Sequence, residues 1–197
     1  MMTRSDTTRS GRFRNLRAGL IVLAGASILG GCASQGARAS NEPPPPPRVA
    51  SWDQFESDSD LDRVFLGPQP SVEALAAFRE QGGSIVVNLR TESEMERMPY
   101  YAAAVEGEGL EYVHVPTRGS EMGRTQYEQL RAVLDRSEGP VLVHCGSGTR
   151  ATYLWGAHLM QADGLSADEA KAWCSTRREG KVWESGDLAI DRIAAGE

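Results

Sequence analysis

Cys145 and Arg150 stand five positions apart, and the short segment between them contains two glycines. A cysteine becomes a strong nucleophile when it ionises, and the planar fork of an arginine can hold two oxygens of a tetrahedral anion. Glycines allow the backbone to approach such an anion closely. The segment therefore predicts a site at which a thiolate attacks an anion held by backbone N–H groups and a guanidinium. The residues between the two are Gly146, Ser147, Gly148 and Thr149.

The elements predicted on either side of this segment suit that chemistry. Residues 140–144 are strongly apolar and predict a buried strand, and residues 150–160 predict a helix with few polar positions. The N–H groups in the first turn of a helix have no partner inside the helix and attract anions. A helix N-terminus and a nearby cation also favour the thiolate form of a cysteine. The predicted site is therefore a strand, a phosphate-binding loop and a helix in succession.

Apolar strand patterns alternate with helical patterns through the rest of the chain. This alternation predicts an α/β domain with a mainly parallel central sheet flanked by helices. Thr91 and Glu94 have the spacing of a capping box for a helix that would run to about Gly107. The other predicted strands cover residues 64–67, 84–89 and 110–115, and the other predicted helices begin near Ser71, Thr125 and Ser166.

Four segments of the chain resemble those of the cysteine-based protein tyrosine and dual-specificity phosphatases. The resemblance is strongest to the bacterial branch that includes the beta-lactamase hydrolase-like phosphatase domain and the phosphatase domains fused to NAD kinase-like domains. It implies a three-layer phosphatase-like fold. The segments are Phe-Leu-Gly-Pro-Gln-Pro-Ser at 65–71, Val-Val-Asn-Leu-Arg at 86–90, Tyr-Val-His-Val-Pro at 112–116 and His-Cys-Gly-Ser-Gly-Thr-Arg at 144–150.

The resemblance also implies roles for the residues of the loop. Cys145 would form a phosphocysteine and Arg150 would bind the phosphate. His144 would hold the loop and help to keep the thiolate ionised. No metal and no cofactor are implied, and the substrate would be a phosphorylated compound of a class that the sequence does not identify. The loop amides would come from Gly146, Ser147, Gly148 and Thr149.

Three departures from the family pattern leave other functions open. Four residues separate Cys145 from Arg150, a spacing also found in rhodanese-type sulfurtransferases, and Ala151 stands where many phosphatases have a hydroxyl residue. No aspartate lies in residues 117–124, so Glu121 is the candidate general acid, although a solvated loop carboxylate explains it equally well. The alternatives are a rhodanese-like sulfurtransferase with a Cys145 persulfide and a non-catalytic lipoprotein that binds an anion or a phosphoprotein.

The N-terminal part of the chain has the pattern of an export signal. Residues 1–31 combine five arginines with a short apolar stretch that ends in Leu-Gly-Gly, directly before Cys32. This resembles a lipobox, which implies lipidation of Cys32 and anchoring to the membrane, by resemblance at the periplasmic face of the outer membrane. The alternative is an ordinary signal cleaved near Ala37. The proline-rich residues 32–50 would form a tether, and residues 51–197 the phosphatase-like domain.

The net charge of the chain and its remaining reactive side chains exclude some classes of function. The chain has a net charge of −6 although its leader is basic, so the domain is acidic and nucleic acid is an unsuitable partner. No cysteine and histidine cluster has metal-ligand spacing. Arg90 follows a predicted strand and is expected to pair with Glu92 or Glu94 in a structural role. Whether Cys145 and Cys174 form a disulfide is left open.

Overall fold

The computed structural model describes residues 49–57 and 63–197. The predicted signal peptide, the lipidation site Cys32 and nearly all of the predicted tether lie outside the described residues. Ala50, the last residue of that tether, is buried and belongs to the fold. Its N–H donates to the carbonyl of Gln69 at 2.7 Å, and its own carbonyl accepts from the N–H of Ser71 at 2.9 Å.

Five short strands form one sheet in the order β1-β2-β5-β3-β4. All neighbouring strands are parallel except the edge pair β1 and β2. Together with the flanking helices, this confirms the predicted α/β fold with a mainly parallel sheet. The strands are β1 Glu56–Ser57, β2 Val64–Gly67, β3 Ile85–Asn88, β4 Glu111–His114 and β5 Val141–His144.

The strand register brings the candidate chemistry to one edge of the sheet. His144, the last residue of β5, is aligned with Gly67 on β2 and with Asn88 on β3. All four residues of β5 are buried, as expected for a central parallel strand that is covered on both faces. Because parallel strands end at the same edge, the segments that follow β2, β3 and β5 meet there, the usual position of a ligand site in an open α/β sheet.

Helices cover both faces of the sheet and give three layers. The helices are α1 Val72–Glu80, α2 Glu92–Met95, α3 Tyr101–Gly107, α4 Arg124–Arg136, α5 Thr149–Ala162, α6 Ala167–Arg177 and α7 Glu184–Ala195. One apolar cluster joins α1 and α3 to one face of the sheet through Leu75, Phe78 and Val105. A larger cluster joins the four helices from α4 to α7 to the other face.

The segment predicted as one helix up to Gly107 is interrupted, so that prediction is wrong. Helix α2 ends at Met95 and α3 begins at Tyr101. Pro99 lies between them, and a proline lacks the N–H needed for a helical hydrogen bond and disfavours helical backbone at the residue before it. The capping box is nevertheless formed, because Thr91 Oγ1 accepts from the Glu94 N–H at 3.3 Å and Glu94 Oε2 accepts from the Thr91 N–H at 2.8 Å.

No helix or strand is predicted after the helix that contains Cys174, but the chain continues into a further helix, α7. Its buried residues Ala189, Ile190 and Ile193 lie on one face of the helix and pack into the larger apolar cluster. Among residues 49–57 and 63–197, none of these helices has the length and apolar character needed to cross a membrane.

Candidate active site

The loop between β5 and α5 closes tightly against the end of β2. Gly148 has φ +87°, in the left-handed region, and a Cβ added there would lie 3.3 Å from the carbonyl carbon of Gly67. Only glycine meets both conditions without strain. The N–H of Cys145 donates to the Gly67 carbonyl at 3.4 Å, and the N–H of Gln69 donates to the Gly146 carbonyl at 3.4 Å. These contacts fix the start and the end of the loop relative to the sheet.

Several N–H groups of this loop have no acceptor within the described part of the chain. Those of Gly146, Ser147, Thr149 and Arg150 donate no hydrogen bond to another described residue, whereas the N–H of Thr152 donates to the Gly148 carbonyl at 2.9 Å. Unpaired N–H groups in a turn that leads into a helix form a site for an anion. The loop therefore has unpaired N–H donors in the segment where the sequence predicts oxyanion binding, and the binding itself stays a prediction.

Arg150 is held in place by three groups that contact the same end of its guanidinium. Its Nη1 donates to the carbonyls of Leu89 at 3.1 Å and Thr117 at 2.9 Å, and to Glu94 Oε2 at 2.7 Å. Its Nη2 donates to Glu94 Oε1 at 2.8 Å. The fork with Glu94 occupies the Nη1 and Nη2 edge, so the Nε and Nη2 edge remains available for an oxyanion. Arg150 thus joins the segments that follow β3 and β4 to the loop.

The contact between Glu94 and Arg150 shifts the pKa values of both side chains. Burial raises the pKa of Glu94, but hydrogen bonds from Arg150 and Thr91 and the positive charges of Arg150 and Arg90 outweigh it and lower the pKa from 4.5 to about 2. Burial lowers the pKa of Arg150, but its hydrogen bonds to Glu94 and its electrostatic interactions with Cys145 and Glu94 raise it above its ordinary value. Both side chains are therefore ionised at neutral pH, and the guanidinium lies beside the Cys145 thiol.

Glu94 was missed as a residue of the site. The sequence indicated that Glu94 forms a capping box, but it did not indicate that the carboxylate binds Arg150. Because the capping box fixes Glu94 at the start of α2, directly after the end of β3, its carboxylate reaches the guanidinium from a neighbouring strand end. Only the pairing of β3 with β5 brings the two together, and that pairing joins residues 56 positions apart.

His144 supports the loop as a neutral residue. Burial, together with the positive charges of Arg90 and Arg150, lowers its pKa to about 3. Its Nδ1 lies 3.3 Å from the Cys145 carbonyl, which can only accept, so Nδ1 carries the proton. Nε2 then accepts from the Tyr101 hydroxyl at 2.9 Å. The predicted role of holding the loop fits this geometry. The predicted help to the thiolate does not come from a positive charge, because the imidazole is neutral.

Both cysteines described by the structure are free and buried. Cys145 is 0% exposed, so its thiol is shielded from solvent in the described state. Cys174 lies on α6 and packs against α5, where its Sγ donates to the Thr152 carbonyl at 3.5 Å. Burial raises the pKa of Cys174 to about 12. Cys174 is therefore a packed thiol of low reactivity.

Glu121, the predicted general acid, lies on the surface in a 3₁₀ turn, Gly119–Glu121. Its side chain is 65% exposed and forms an ion pair with Arg118 at 3.3 Å. It makes no hydrogen bond or ion pair with Cys145 or Arg150 among the described contacts. The turn follows Thr117, whose carbonyl binds Arg150, so Glu121 is on a segment attached to the site.

Two open clefts lie at the surface, and one of them borders the loop. One, of about 300 Å³, is lined by loop residues Ser147, Gly148 and Thr149 and by three basic residues that end α6 or follow it, Arg177, Arg178 and Lys181. The other, of about 310 Å³, contains Glu121 and is lined mainly by the first residues of α2 and the segment after β4. Within the described ranges no group of His, Cys, Asp or Glu side chains has the arrangement of a metal site.

Residues 61–164 match the model of the family "Beta-lactamase hydrolase-like protein, phosphatase-like domain". A beta-lactamase hydrolase-like protein of Xylella fastidiosa strain Temecula1 is 30% identical over 114 residues, which are 56% of this chain and 26% of that protein. A relative with the same description in Agrobacterium fabrum is 26% identical over 97 residues, 48% of this chain and 22% of that protein. The chain thus spans about a quarter of the length of these curated relatives.

Solved structures share the fold. A DUF442 protein of Shewanella putrefaciens CN-32 superposes with a TM-score of 0.59 at 18% identity, over 73% of this chain and 92% of that one. The active form of Tk-PTP superposes with a TM-score of 0.57 at 26% identity, over 71% of this chain and 94% of that one. The three-layer arrangement described above is therefore a phosphatase-like fold.

Proposed function

The chain belongs to the family of the phosphatase-like domain of beta-lactamase hydrolase-like proteins, and from this we propose that it is a cysteine-dependent phosphatase that needs no metal. The observation that carries the proposal is the geometry around Arg150. One edge of its guanidinium is held by Glu94 and two carbonyls, and its Nη2 lies 3.8 Å from where a Cβ on Gly146 would be, in a loop with unpaired N–H groups beside Cys145. This is an arrangement for holding a tetrahedral oxyanion over a sulfur nucleophile.

The reaction proceeds in two displacements at phosphorus. The Cys145 thiolate forms an S–P bond while the bond from phosphorus to the leaving oxygen breaks, and an acid donates a proton to that oxygen. Water then attacks phosphorus, the S–P bond breaks, and inorganic phosphate leaves with the thiolate regenerated. Arg150 and the amides of Gly146, Ser147, Gly148 and Thr149 stabilise the charge on the equatorial oxygens in both steps. Since Cys145 is fully buried in the described state, neighbouring side chains must shift when the phosphate enters.

Glu121 is the proposed acid. It lies on the segment whose Thr117 carbonyl binds Arg150, and a small movement of that turn would bring its carboxylate towards the loop. Glu121→Gln is expected to lower kcat for a poor leaving group, such as an alkyl phosphate, more than for p-nitrophenyl phosphate, whose leaving oxygen needs little protonation. An equal effect on both substrates would remove Glu121 from this role.

The central test is hydrolysis of p-nitrophenyl phosphate by the domain from residue 44 onwards, the compact unit of the chain. Cys145→Ser and Arg150→Met are each expected to abolish measurable turnover, and Cys174→Ser is expected to leave it unchanged. Turnover that survives Cys145→Ser would contradict the mechanism. Transfer of sulfur from thiosulfate to cyanide, without phosphatase activity, would instead indicate a Cys145 persulfide enzyme. Binding of vanadate without turnover of any phosphate ester would indicate a non-catalytic phosphate-binding domain.

We propose also that the domain is anchored to the cell envelope through lipid on Cys32, at the periplasmic face of the outer membrane. The support is the leader sequence, in which a basic start and a short apolar stretch end directly before the cysteine. Two acyl chains give stable anchoring. The full chain is expected to partition into the membrane fraction, and Cys32→Ser is expected to prevent this. Membrane association that persists in Cys32→Ser would contradict lipidation at this residue.

A further inference from the structure

Arg90 is a largely buried guanidinium whose side chain makes one long ion pair, with Glu94, and no hydrogen bond among the described residues. Its side chain is 12% exposed, and the nearest carboxylate oxygen, Glu94 Oε1, is 3.8 Å from its Nη2. That oxygen already accepts from Arg150 at 2.8 Å. The Nε atom of Arg90 is fully buried and has no hydrogen-bond partner. The ion pair with Glu94 that the sequence predicted is present, but it leaves the Nε atom of Arg90 without a hydrogen bond.

A largely buried guanidinium with so few hydrogen bonds is unusual on energetic grounds. Buried charged groups in folded proteins are normally paired and hydrogen-bonded, because taking a charge out of water is costly without a compensating partner. The backbone of Arg90 is held firmly, since its N–H donates to Asn88 Oδ1 at 2.9 Å and its carbonyl accepts from His114 Nε2 at 2.7 Å. The side chain is therefore kept near the loop by its backbone, and it shares its counter-ion, Glu94, with Arg150.

The position of Arg90 indicates which kind of group would complete its hydrogen bonds. A methyl group placed on Gly146 would lie 3.5 Å from Nη1 of Arg90, 3.6 Å from Oε1 of Glu94 and 3.8 Å from Nη2 of Arg150. The two guanidiniums thus approach the same residue, the first one after Cys145, whose N–H is unpaired. Glu94 supplies one negative charge to these two cations. A site with an excess of positive charge and free N–H donors is complete when an anion enters it.

We propose that Arg90 is a second anion-binding guanidinium, which contacts a phosphoryl oxygen of the bound substrate and makes the site select dianionic over monoanionic tetrahedral groups. The proposal rests on the proposed phosphatase function, and it goes beyond it because neither the mechanism nor the motif around Cys145 requires this residue. In the reaction, Arg90 would offset the repulsion between the thiolate and the incoming dianion, so that both can occupy the loop.

The probes are tungstate and perrhenate, two tetrahedral oxyanions of similar shape that differ by one negative charge. Their affinities are measured on the domain with Cys145→Ser, which lacks the thiolate, and on the same protein with Arg90→Met added. Tungstate affinity is expected to fall about tenfold with Arg90→Met, and perrhenate affinity less, so that the preference for the dianion decreases. Arg90→Lys keeps the charge and is expected to lose less tungstate affinity than Arg90→Met.

Arg63→Met is the matched control. Arg63 precedes β2 and donates to the Ser137 carbonyl at 2.8 Å, at the opposite edge of the sheet from the loop, so its loss changes the net charge equally without touching the site. The protein that carries both Cys145→Ser and Arg63→Met should bind tungstate with the same affinity as the protein that carries Cys145→Ser alone. If Arg90→Met lowers the tungstate affinity by less than threefold, the proposal is overturned. It is also overturned if the affinities for tungstate and perrhenate fall by the same factor, because a purely structural role would produce that result.

A structure of the Cys145→Ser protein with tungstate tests the proposal without altering Arg90, in case its variants do not fold. The guanidinium is expected within hydrogen-bonding distance of a tungstate oxygen. A bound oxyanion without contact to Arg90 would overturn the inference. The two proposals fail separately: binding through Arg90 without hydrolysis of aryl phosphate removes the phosphatase function alone, and Cys145-dependent hydrolysis with unchanged tungstate affinity in Arg90→Met removes the role of Arg90 alone.

Discussion

At the scale of single residues, the orientation of one guanidinium decides what the loop can bind. Arg150 could rotate about its long side chain if it were held only by an incoming anion. Glu94 and the carbonyls of Leu89 and Thr117 hold it before any ligand enters. Such preorganisation removes a cost that would otherwise reduce binding of the transition state. Glu94 is therefore a positioning residue for Arg150.

Glu94→Gln is expected to reduce kcat/KM for p-nitrophenyl phosphate by about 10- to 100-fold, roughly 1.4–2.7 kcal/mol, because a neutral amide can accept only one of the two hydrogen bonds from Arg150. Glu94→Asp should recover part of the activity, since it retains the charge. The control is Glu92→Gln on the same helix, where the carboxylate is exposed and contacts His114 rather than Arg150. Equal activities of Glu94→Gln and the wild type would contradict the positioning role.

The same carboxylate makes stability depend on pH. The pKa of Glu94 is about 2 in the folded protein and 4.5 ordinarily, so the folded state binds its proton less readily than the unfolded state. Its contribution is fully present above pH 4.5 and is lost as the pH falls towards 2. Allowing for solvent screening of this partly exposed group, it is about 1–2 kcal/mol. Urea unfolding of the wild type and Glu94→Gln should show a difference that shrinks over this pH range, and a constant difference would contradict the assignment.

At the scale of elements, the junction between β5 and α5 depends on close backbone contact. Gly148 needs a positive φ and also lies against Gly67 of β2, so a side chain there meets strain and a steric clash together. Helix α5 then begins at Thr149, and its first turn supplies N–H groups to the loop. The loop shape is thus a consequence of how tightly two neighbouring strand ends can pack.

Gly148→Ala is expected to destabilise the domain by about 1–3 kcal/mol and to lower phosphate affinity at least tenfold, because the loop must move away from β2. Gly164→Ala provides a matched control, since Gly164 also has a positive φ, +77°, but has open space around its Cα. That variant should show the backbone strain in its thermal unfolding without a change in phosphate affinity. The same loss of affinity in both variants would argue against the packing explanation.

At the scale of the whole molecule, the segment that leads into the domain packs against β2, the strand beside the site. Trp52 and Phe55 pack with Phe65 and Phe78 in an aromatic group under β2 and α1. The ring of Phe55 fills the space where a Cβ on Gly67 would be. Gly67 in turn accepts the hydrogen bond from the Cys145 N–H. The residues that follow the predicted tether therefore belong to the folded unit and contact β2, the strand against which the loop closes.

Phe55→Ala is expected to lower the free energy of unfolding by about 1–3 kcal/mol, because it leaves a cavity between the entering segment and β2. Val49→Ala, at an exposed position just before this segment, is the control and should change stability by less than about 0.5 kcal/mol. Urea unfolding of the two variants checks this. An effect of Phe55→Ala no larger than that of Val49→Ala would show that the entering segment does not support the sheet.

The amino-acid sequence alone was sufficient for strands β2 to β5, helices α1 and α4 to α6, the mainly parallel sheet and the placing of Cys145 and Arg150 at the two ends of one loop. These features depend on local periodicity, glycines and short spacing, which are readable along the chain. The sequence missed β1 and α7 and predicted α2 and α3 as one helix. The tertiary structure was needed for the contact of Glu94 with Arg150, for the neutral state of His144 and for the incomplete hydrogen bonding of Arg90. Each depends on burial or on contact between strand ends distant in sequence. Desolvation and long-range pairing arise only when the sheet assembles, so no local pattern encodes them.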